Sequence, residues 1–207
     1  MRALETGEDG LKRCSWGLSA PDYVAYHDEE WGRPVTDDHG VYERLTLEAF
    51  QSGLSWLTIL RKRENFRAAF HDFDFERVSM YGKRDVARLM GDAGIVRNGA
   101  KIDAAIANAR AAREMASAGE SLAELAWSFA PTRPRKPRRW SDVQATTAES
   151  KALAKELKRR GFRFVGPTTA YALMQAIGIV NDHFAGCVVR DAVEAERAPV
   201  LMKMAAA

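Results

Sequence analysis

The segment RGFRFVGPTTAYALMQAIGIVNDHFAGC, residues 160–187, carries the strongest structural signals of the chain. Its first half places a short apolar turn with Gly166 and Pro167 directly before a run with helical spacing. Glycine allows close backbone approach, and proline at the first helical position leaves backbone amides free to point outward. Because a basic segment precedes this turn, the geometry can hold a phosphate, although most Gly-Pro helix starts are only helix starts. The segment therefore predicts a helix, a tight turn and a second helix.

Residues with helical spacing fill most of the chain, whereas strand-like alternation is scarce. The apolar residues of 41–50 predict one helix behind a polar cap at 36–38, and Gly53 separates it from a second helix over 55–70. The same spacing predicts further helices over 84–92, 101–118, 121–129, 148–160 and 168–177. We therefore expect an all-α fold, with a folded domain over 13–190 and flexible ends at 1–12 and 191–207.

Length and composition narrow the class of protein. The 207 residues, 46% apolar and 29% charged, suffice for one core or two modest lobes. No apolar run reaches the ~18 residues that a membrane span needs, and the acidic start lacks the apolar stretch of a secretory signal. We therefore expect a reducing, cytoplasmic location. The net charge of +3 permits a nucleic-acid partner without requiring one.

The positive charge is concentrated in two stretches. The stretch RPRKPRR, residues 133–139, holds five cations and two prolines, and residues 151–163 hold six cations against one acid. Prolines exclude a regular helix from the first stretch, so we expect an extended basic loop there. It either contacts nucleic-acid phosphates or is a solvated linker, since runs of like charge are usually only hydrated.

Each of the two cysteines is paired with a histidine. His27 follows Cys14 after thirteen residues, and Cys187 follows His183 after four. Soft ligands in this arrangement predict a tetrahedral zinc site that joins the two ends of the chain. A disulfide between Cys14 and Cys187 is the main alternative, and two ordinary thiols are the other. A reducing compartment disfavours the disulfide.

Aromatic and acidic residues are concentrated in YVAYHDEEWG, residues 23–32, and in LEAFQSGLSW, residues 47–56. Core packing is the usual role of such aromatic residues. Three tryptophans within 41 residues, interleaved with Glu48 and the candidate metal ligands, favour an aromatic pocket instead. A pocket with stacking faces and one carboxylate suits a flat cationic or electron-poor ring.

Four segments resemble the bacterial type I 3-methyladenine DNA glycosylase (Tag) family. They are YHDEEWG (26–32), LEAFQSGLSWLTILRKRENFRAAF (47–70), DAGIVRNGAKI (92–102) and the segment 160–187. The resemblance runs in the same order from about Cys14 to Cys187, and the termini and the basic loop near 131–140 lie outside it. It implies an all-helical helix-hairpin-helix glycosylase, with two helical lobes around a base pocket and one structural Zn²⁺. It also implies a monomer that hydrolyses the N-glycosidic bond of N3-methyladenine in double-stranded DNA and releases the free base.

The resemblance assigns the ligands of the zinc site and the residues of the base pocket. The zinc ligands fall on Cys14, His27, His183 and Cys187, a closed site that leaves no ligand position for an activated water. The base pocket falls on Trp16, Tyr23, Tyr26, Glu48 and Trp56. An ionised Glu48 would attract the cationic methylated ring and accept a hydrogen bond from its exocyclic amine, while the aromatic rings stack on it. Glu48 is also a candidate for orienting the attacking water. The alternative is that Glu48 is an ordinary carboxylate on the surface of a helix.

DNA contacts implied by the resemblance lie in two turns. The first set is Gln51, Gly53 and Leu54, and the second is Val165, Gly166, Thr168 and Thr169. Leu54 is the expected wedge that fills the gap left by the flipped nucleotide, with a core leucine as the alternative. The chain differs from some family members at Ala49 and Phe50, which leaves the detail of the pocket wall open.

The resemblance also implies which chemistry is absent. The catalytic aspartate of many helix-hairpin-helix glycosylases falls on Asn181, with Asp182 displaced by one, and the lysine of bifunctional relatives falls on Thr168. We therefore expect a monofunctional hydrolase without a Schiff-base step. The main alternative is a non-catalytic helix-hairpin-helix DNA-binding protein, but such a protein needs no base pocket. A redox or metal sensor that uses the two cysteines is a second alternative, against which the matched histidines argue.

Overall fold

The computed structural model describes residues 2–133 and 135–205, so Pro134 of the predicted basic loop lies outside the described residues. The described part of the chain is mostly helical. A short antiparallel pair, β1 (Leu4–Thr6) and β2 (Lys12–Cys14), is added to the all-α fold predicted from the sequence. No helix in the described part of the chain is long and apolar enough to cross a bilayer. The helices are α1 (Pro21–Glu29), α2 (Asp38–Gln51), α3 (Trp56–Ala69), α4 (Phe75–Ser79), α5 (Lys83–Gly91), α6 (Gly99–Ser117), α7 (Leu122–Trp127), α8 (Ala148–Arg159), α9 (Pro167–Ala176) and α10 (Arg190–Ala205).

The seven helices predicted from apolar spacing are present as α2, α3 and α5–α9. They share one large core, in which α2 packs against α6 and α9 and α8 packs against α9. Polar groups inside this core are satisfied by backbone oxygens. The Tyr42 hydroxyl donates to the Ala105 carbonyl at 3.0 Å, and the Trp127 indole donates to the Val35 carbonyl at 2.8 Å. The first bond joins α2 to α6, and the second joins α7 to the segment just before α2.

The junction of α2 and α3 has the form that its sequence predicts. Asp37 caps α2 by accepting from the Gly40 amide at 2.7 Å. After α2, the chain turns at Gly53, whose φ of 80° suits glycine. The buried Lys101 amine donates to the carbonyls of Phe50 and Ser52 at 2.9 and 2.5 Å, so α6 holds the end of α2 in place. The turn over 51–55 is therefore an ordered feature of the surface.

The turn between α8 and α9 is clamped from the core side. Asn108 of α6 is fully buried, donates to the Arg163 carbonyl at 3.1 Å and accepts from the Arg163 amide at 2.6 Å. Phe162 and Val165 are buried beneath the turn, whereas Phe164 is 43% exposed in the left-handed region at φ 55°. Pro167 occupies the first turn of α9, as expected.

Both chain ends, which we expected to be flexible, contain regular secondary structure in the described residues. At the N-terminus, β1 pairs with β2 so that Leu4 lies opposite Cys14. At the C-terminus, the chain forms α10 despite an internal Pro199. Arg197 of α10 is buried and donates to the carbonyls of Gly178 and Ile179, which follow α9. Local spacing does not predict α10 because a single buried arginine, bonded to distant carbonyls, holds it on the fold.

Candidate functional site

Four side chains from the two ends of the chain form one buried cluster, which we call the metal cluster: Cys14, His27, His183 and Cys187. All ligand atoms lie within 4.8 Å of one another. His183 Nδ1 lies 3.2 Å from His27 Nε2 and 3.7 Å from each cysteine sulfur, and Cys187 Sγ lies 3.5 Å from His27 Nε2. The two cysteines are free thiols and form no disulfide. The cluster predicted from the sequence is therefore assembled, and it can hold a metal ion.

The outer ring nitrogen of each histidine has a partner on its far side. His27 Nδ1 lies 2.7 Å from Asp28 Oδ1, and His183 Nε2 lies 3.0 Å from the Trp31 carbonyl oxygen. Partners of this kind fix the tautomer, so the nitrogen facing the cluster is the unprotonated one that binds a metal. The Phe184 amide also donates to Cys14 Sγ at 3.3 Å, as a thiolate ligand requires.

The metal cluster is in contact with a second centre, an aromatic cavity of about 360 Å³. Trp16 is packed edge-on against His27 at 5.1 Å between ring centroids, and Trp31 is packed against His183 at 4.7 Å. Both tryptophans line the cavity. The cluster therefore supports one wall of the cavity directly.

The cavity contains every residue that the family resemblance assigned to the base pocket. They are joined by Gln51, which was assigned to DNA, and by four residues that were not assigned at all. The complete lining is Trp16, Ser19, Tyr23, Tyr26, Trp31, Glu48, Gln51, Trp56, Ala172 and Gln175. Ala172 and Gln175 come from α9, and only the tertiary packing of α9 against α2 places them beside Glu48.

The aromatic rings of the cavity meet edge-on or tilted. Trp16 lies 5.6 Å from Tyr23 and 4.9 Å from Trp31, both edge-on, and Tyr26 lies 5.3 Å from Trp56 at a tilt of 43°. The indole Nε1 of Trp56 is buried without a hydrogen-bond partner among the described residues. Rings in this arrangement leave faces and an N–H donor for a flat ligand.

Glu48 is the acidic residue of the cavity lining and is 7% exposed. Its carboxyl group makes no hydrogen bond or ion pair with the residues that the structure describes. Burial without a partner raises its pKa to about 8. Burial therefore favours the neutral carboxyl when no ligand is bound, and the expected ionised form requires a cationic partner beside it. Burial and the neighbouring Glu48 carboxyl also raise the pKa of Tyr26 well above its usual value, so its hydroxyl stays a neutral donor.

The residues expected to contact DNA lie at the two turns described above or at the helix ends beside them, Gln51 at the end of α2 and Thr168 and Thr169 at the start of α9. Leu54 is 43% exposed, which excludes the alternative of a core leucine. Gly53, Thr168 and the rim residue Gln51 are also accessible. Val165, in contrast, is fully buried and presents no accessible surface to DNA in this structure.

The described part of the basic loop has no helix or strand, and it is held against the segment that carries two of the metal-cluster residues. The Ala185 amide donates to the Pro137 carbonyl at 2.8 Å, and Arg190 donates to the Arg135 carbonyl at 2.8 Å. Just beyond the loop, Trp140 packs on Phe184 at 5.1 Å. The described part of the loop is therefore tied to the fold, which argues against a free linker, while the side chains of Lys136 and Arg138 point to solvent.

The residues that replace the usual glycosylase groups have structural partners. Asn181 donates to the Arg190 carbonyl and to Glu194 at 3.1 and 2.9 Å. Asp182 is buried and accepts from the Tyr171 hydroxyl at 2.6 Å and from the Gln175 amide at 2.9 Å. Asp182 is thus bonded to a residue of the cavity wall without lining the cavity itself.

Comparison with known proteins identifies the family. The family model described as methyladenine glycosylase matches residues 16–191, which include every cavity residue and three of the four cluster residues. The chain belongs to the methyladenine glycosylase family. It is 48% identical over 179 residues to DNA-3-methyladenine glycosylase 1 of Escherichia coli (strain K12), and the match covers 86% of this chain and 96% of that protein.

Solved structures of the methyladenine glycosylase family share the fold. A crystal structure of 3-methyladenine DNA glycosylase I (TAG) matches with a TM-score of 0.82 and 48% identity, over 85% of this chain and 98% of that one. A structure of the Staphylococcus aureus enzyme, solved to explain 3-methyladenine recognition, matches with a TM-score of 0.81 and 33% identity, over 86% and 96% of the two chains. The arrangement of helices is therefore common to distant members of the family.

Proposed function

We propose that this protein is a monofunctional DNA glycosylase that hydrolyses the N-glycosidic bond of N3-methyladenine in alkylated double-stranded DNA. The observation that carries the proposal is the aromatic cavity with the buried, unpartnered Glu48 on its wall, in a chain of the methyladenine glycosylase family. A relative with 48% identity is named for this activity. A DNA-binding protein without catalysis would gain nothing from burying a carboxyl group that has no partner.

Recognition of the methylated base follows from charge. Methylation at N3 gives adenine in DNA a formal positive charge, and a cation in the cavity favours the ionised form of Glu48. The bound pair would then be a carboxylate beside a cationic ring, on which the cavity-lining rings of Tyr26 and Trp56 would stack. Unmodified adenine has no such charge, so it would bind beside a neutral Glu48 and gain less from the same cavity.

Cleavage of the N-glycosidic bond to a cationic base needs little catalytic assistance from the protein. When the bond between the sugar and the base breaks, the electron pair goes to the base and neutralises its positive charge, so the methylated base is a good leaving group. Water then adds to the sugar carbon. Positioning and pocket electrostatics can supply much of the rate, and Glu48 is the candidate for orienting this water. No lysine is needed for this route, which agrees with Thr168 in the hairpin.

Reaching the cavity requires the base to leave the duplex. We propose that the turn 51–54 enters the DNA with Leu54 as the wedge, and that α8, the clamped turn and α9 form the helix-hairpin-helix unit. The first amides of α9, including those of Thr168 and Thr169, would then face a backbone phosphate. The exposed position of Leu54 and the Asn108 clamp on the turn support this assignment.

The metal cluster suits Zn²⁺ in its donor set and its dimensions. Zinc bonds of about 2.0–2.1 Å to nitrogen and 2.3 Å to sulfur in a tetrahedron correspond to ligand separations of about 3.3–3.8 Å. Four of the six separations in this structure are 3.2–3.7 Å, and all six lie within 4.8 Å. With four protein ligands the ion would stabilise the fold and activate no water. We therefore propose that Zn²⁺ at Cys14, His27, His183 and Cys187 holds Trp16 and Trp31 in the cavity wall.

The direct test is base release from a duplex treated with a methylating agent, with the products separated by chromatography. The proposal expects free 3-methyladenine to appear with time and the DNA backbone to remain uncut until alkali cleaves the abasic site. DNA binding without any base release would favour the non-catalytic alternative. Strand cleavage without alkali would contradict the monofunctional assignment.

A further inference from the structure

One cavity residue is held by a group outside the cavity. Gln175 lies one turn after Ala172 on α9, and both side chains line the cavity that contains Glu48. The Gln175 side chain is half-buried, and its Nε2 donates to Asp182 Oδ2 at 2.9 Å. The sequence offers no signal for this role because Asp182 follows α9 and returns to it only through the turn at 177–181.

Asp182 accepts two hydrogen bonds on the same oxygen. The Tyr171 hydroxyl donates to Oδ2 at 2.6 Å, and Tyr171 and Asp182 are both buried. A carboxylate oxygen that already accepts from a hydroxyl repels another acceptor, so it selects the amide N–H of Gln175 over its carbonyl. The orientation of the Gln175 amide is therefore fixed by its partner, which is the basis on which such orientations are assigned.

The fixed orientation decides which group Gln175 offers to a ligand. Because Nε2 faces Asp182, the carbonyl oxygen Oε1 is the group left for the cavity, and it has no hydrogen-bond partner among the described residues. The cavity then presents the Gln175 carbonyl and the Glu48 carboxyl as acceptors from two different helices, α9 and α2. An exocyclic amine carries two N–H donors and can satisfy both acceptors.

We propose that Gln175 is a specificity-determining residue for the base, and that Asp182 is the positioning residue that sets its orientation. This inference rests on the proposed function. A 6-aminopurine such as 3-methyladenine donates to the Gln175 carbonyl, whereas a 6-oxopurine such as 3-methylguanine places an oxygen against it. Two acceptor oxygens that face each other in a desolvated cavity are disfavoured. Gln175, held by Asp182, should therefore favour the aminopurine over the oxopurine by roughly 5- to 100-fold.

The test compares the two bases in the same protein. Binding of free 3-methyladenine and free 3-methylguanine is measured by quenching of the cavity tryptophans, and single-turnover release of both bases is measured on one methylated duplex. Gln175→Leu should lower the adenine-to-guanine ratio about 10-fold or more in both assays. Asp182→Ala removes the oxygen that accepts from Gln175 Nε2, so the Gln175 amide can turn its own N–H to the cavity, and binding of 3-methylguanine should rise relative to that of 3-methyladenine.

A matched variant is Gln51→Leu, which removes the other cavity glutamine, one that no buried acid holds. It should change both bases in parallel and leave the ratio at the wild-type value. The proposal is overturned if Gln175→Leu and Asp182→Ala keep the wild-type ratio, which includes the case in which binding of both bases weakens equally. Absence of base release by the wild-type protein would sink the proposed function alone, since the free-base binding ratio still decides the role of Gln175.

Discussion

Tyr26 and His27 are consecutive residues of α1, and their side chains belong to two different centres. Tyr26 lines the aromatic cavity, whereas His27 is fully buried in the metal cluster. Since neighbouring helical positions point about 100° apart, one helix can serve both centres only if its rotation is fixed. The position of the metal cluster and that of the cavity wall are therefore linked, and loss of the proposed Zn²⁺ should weaken ligand binding in the cavity.

The metal cluster gives the first prediction. Protein purified without added metal should contain about one Zn²⁺ per chain, and Cys187→Ser should lose it. Because a structural site contributes several kcal/mol, we expect Tm to fall by more than about 10 °C in this variant or with a strong chelator. Free 3-methyladenine should also bind more weakly after metal loss.

His39→Gln provides the control for the metal experiment. His39 lies outside the cluster and stacks on Phe75, so this variant should keep its zinc. A native protein that carries a Cys14–Cys187 disulfide after reducing purification would disprove the zinc assignment.

Glu48 gives a prediction about pH and stability. Its folded pKa of about 8 lies above the pKa of 4.5 that a solvated glutamate has, so between these two values the folded protein binds a proton that the unfolded chain has released. The stability contributed by the neutral carboxyl is therefore complete below about pH 4.5 and is lost as pH rises to about 8. Glu48→Gln removes this loss and should raise Tm relative to wild type at pH 9, with little difference at pH 4.5.

An exposed glutamate serves as the comparison for this pH experiment. Glu114→Gln replaces a glutamate on the surface of α6, and it should shift Tm by the same small amount at both pH values. If the Tm difference between Glu48→Gln and wild type does not grow from pH 4.5 to pH 9, the Glu48 carboxyl does not have a raised pKa in the protein without ligand.

Leu54 gives a prediction about base flipping. Its exposed position means that Leu54→Ala should leave Tm within about 1–2 °C of wild type. Loss of the wedge should lower single-turnover excision from duplex DNA roughly 10-fold or more, while binding of the free base stays unchanged. Met80→Ala, which truncates another exposed apolar side chain, should alter neither quantity. A large loss of stability in Leu54→Ala would contradict the wedge assignment.

The basic loop gives a prediction about salt. Lys136 and Arg138 are exposed, whereas Arg135 is tied to Gln144 and to the Asp142 carbonyl. Replacing Lys136 and Arg138 with glutamine should lower the slope of log affinity against log salt by about 0.9 for each DNA phosphate that the loop then leaves unneutralised. The ratio of methylated to unmethylated DNA bound should not change, because phosphate contacts carry no base identity. Lys203→Gln, which removes a cation outside the loop, is the control and should keep the wild-type salt slope. If the variant at Lys136 and Arg138 also keeps that slope, the loop makes no contact with DNA.

The parts of the fold that the sequence predicts are those encoded locally. Asp37 caps α2 and Gly53 ends the helical segment, because a cap and a positive φ depend on the residue itself. The pairing of Cys14 with His27 and of His183 with Cys187 is likewise visible as a pattern of ligand types.

What the sequence does not predict depends on tertiary burial. Glu48 has a raised pKa because the fold buries it without a partner, and no local pattern encodes that absence. Gln175 enters the cavity wall only when α9 packs on α2, and its orientation depends on Asp182. The C-terminal helix is missed for a similar reason, since Arg197 anchors it through backbone carbonyls distant in sequence.

Single-turnover excision by Glu48→Gln tests the central claim most directly. Glutamine keeps the size of the side chain and removes the negative charge that attracts a cationic base. The aromatic walls of the cavity and the DNA contacts remain. Affinity for duplex DNA should stay near wild type. Excision of 3-methyladenine should fall about 10- to 1000-fold if the charge contributes roughly 1.4–4 kcal/mol to the transition state. Excision at the wild-type rate would contradict the account, because the cavity around Glu48 would then not be the place where the base is recognised and released.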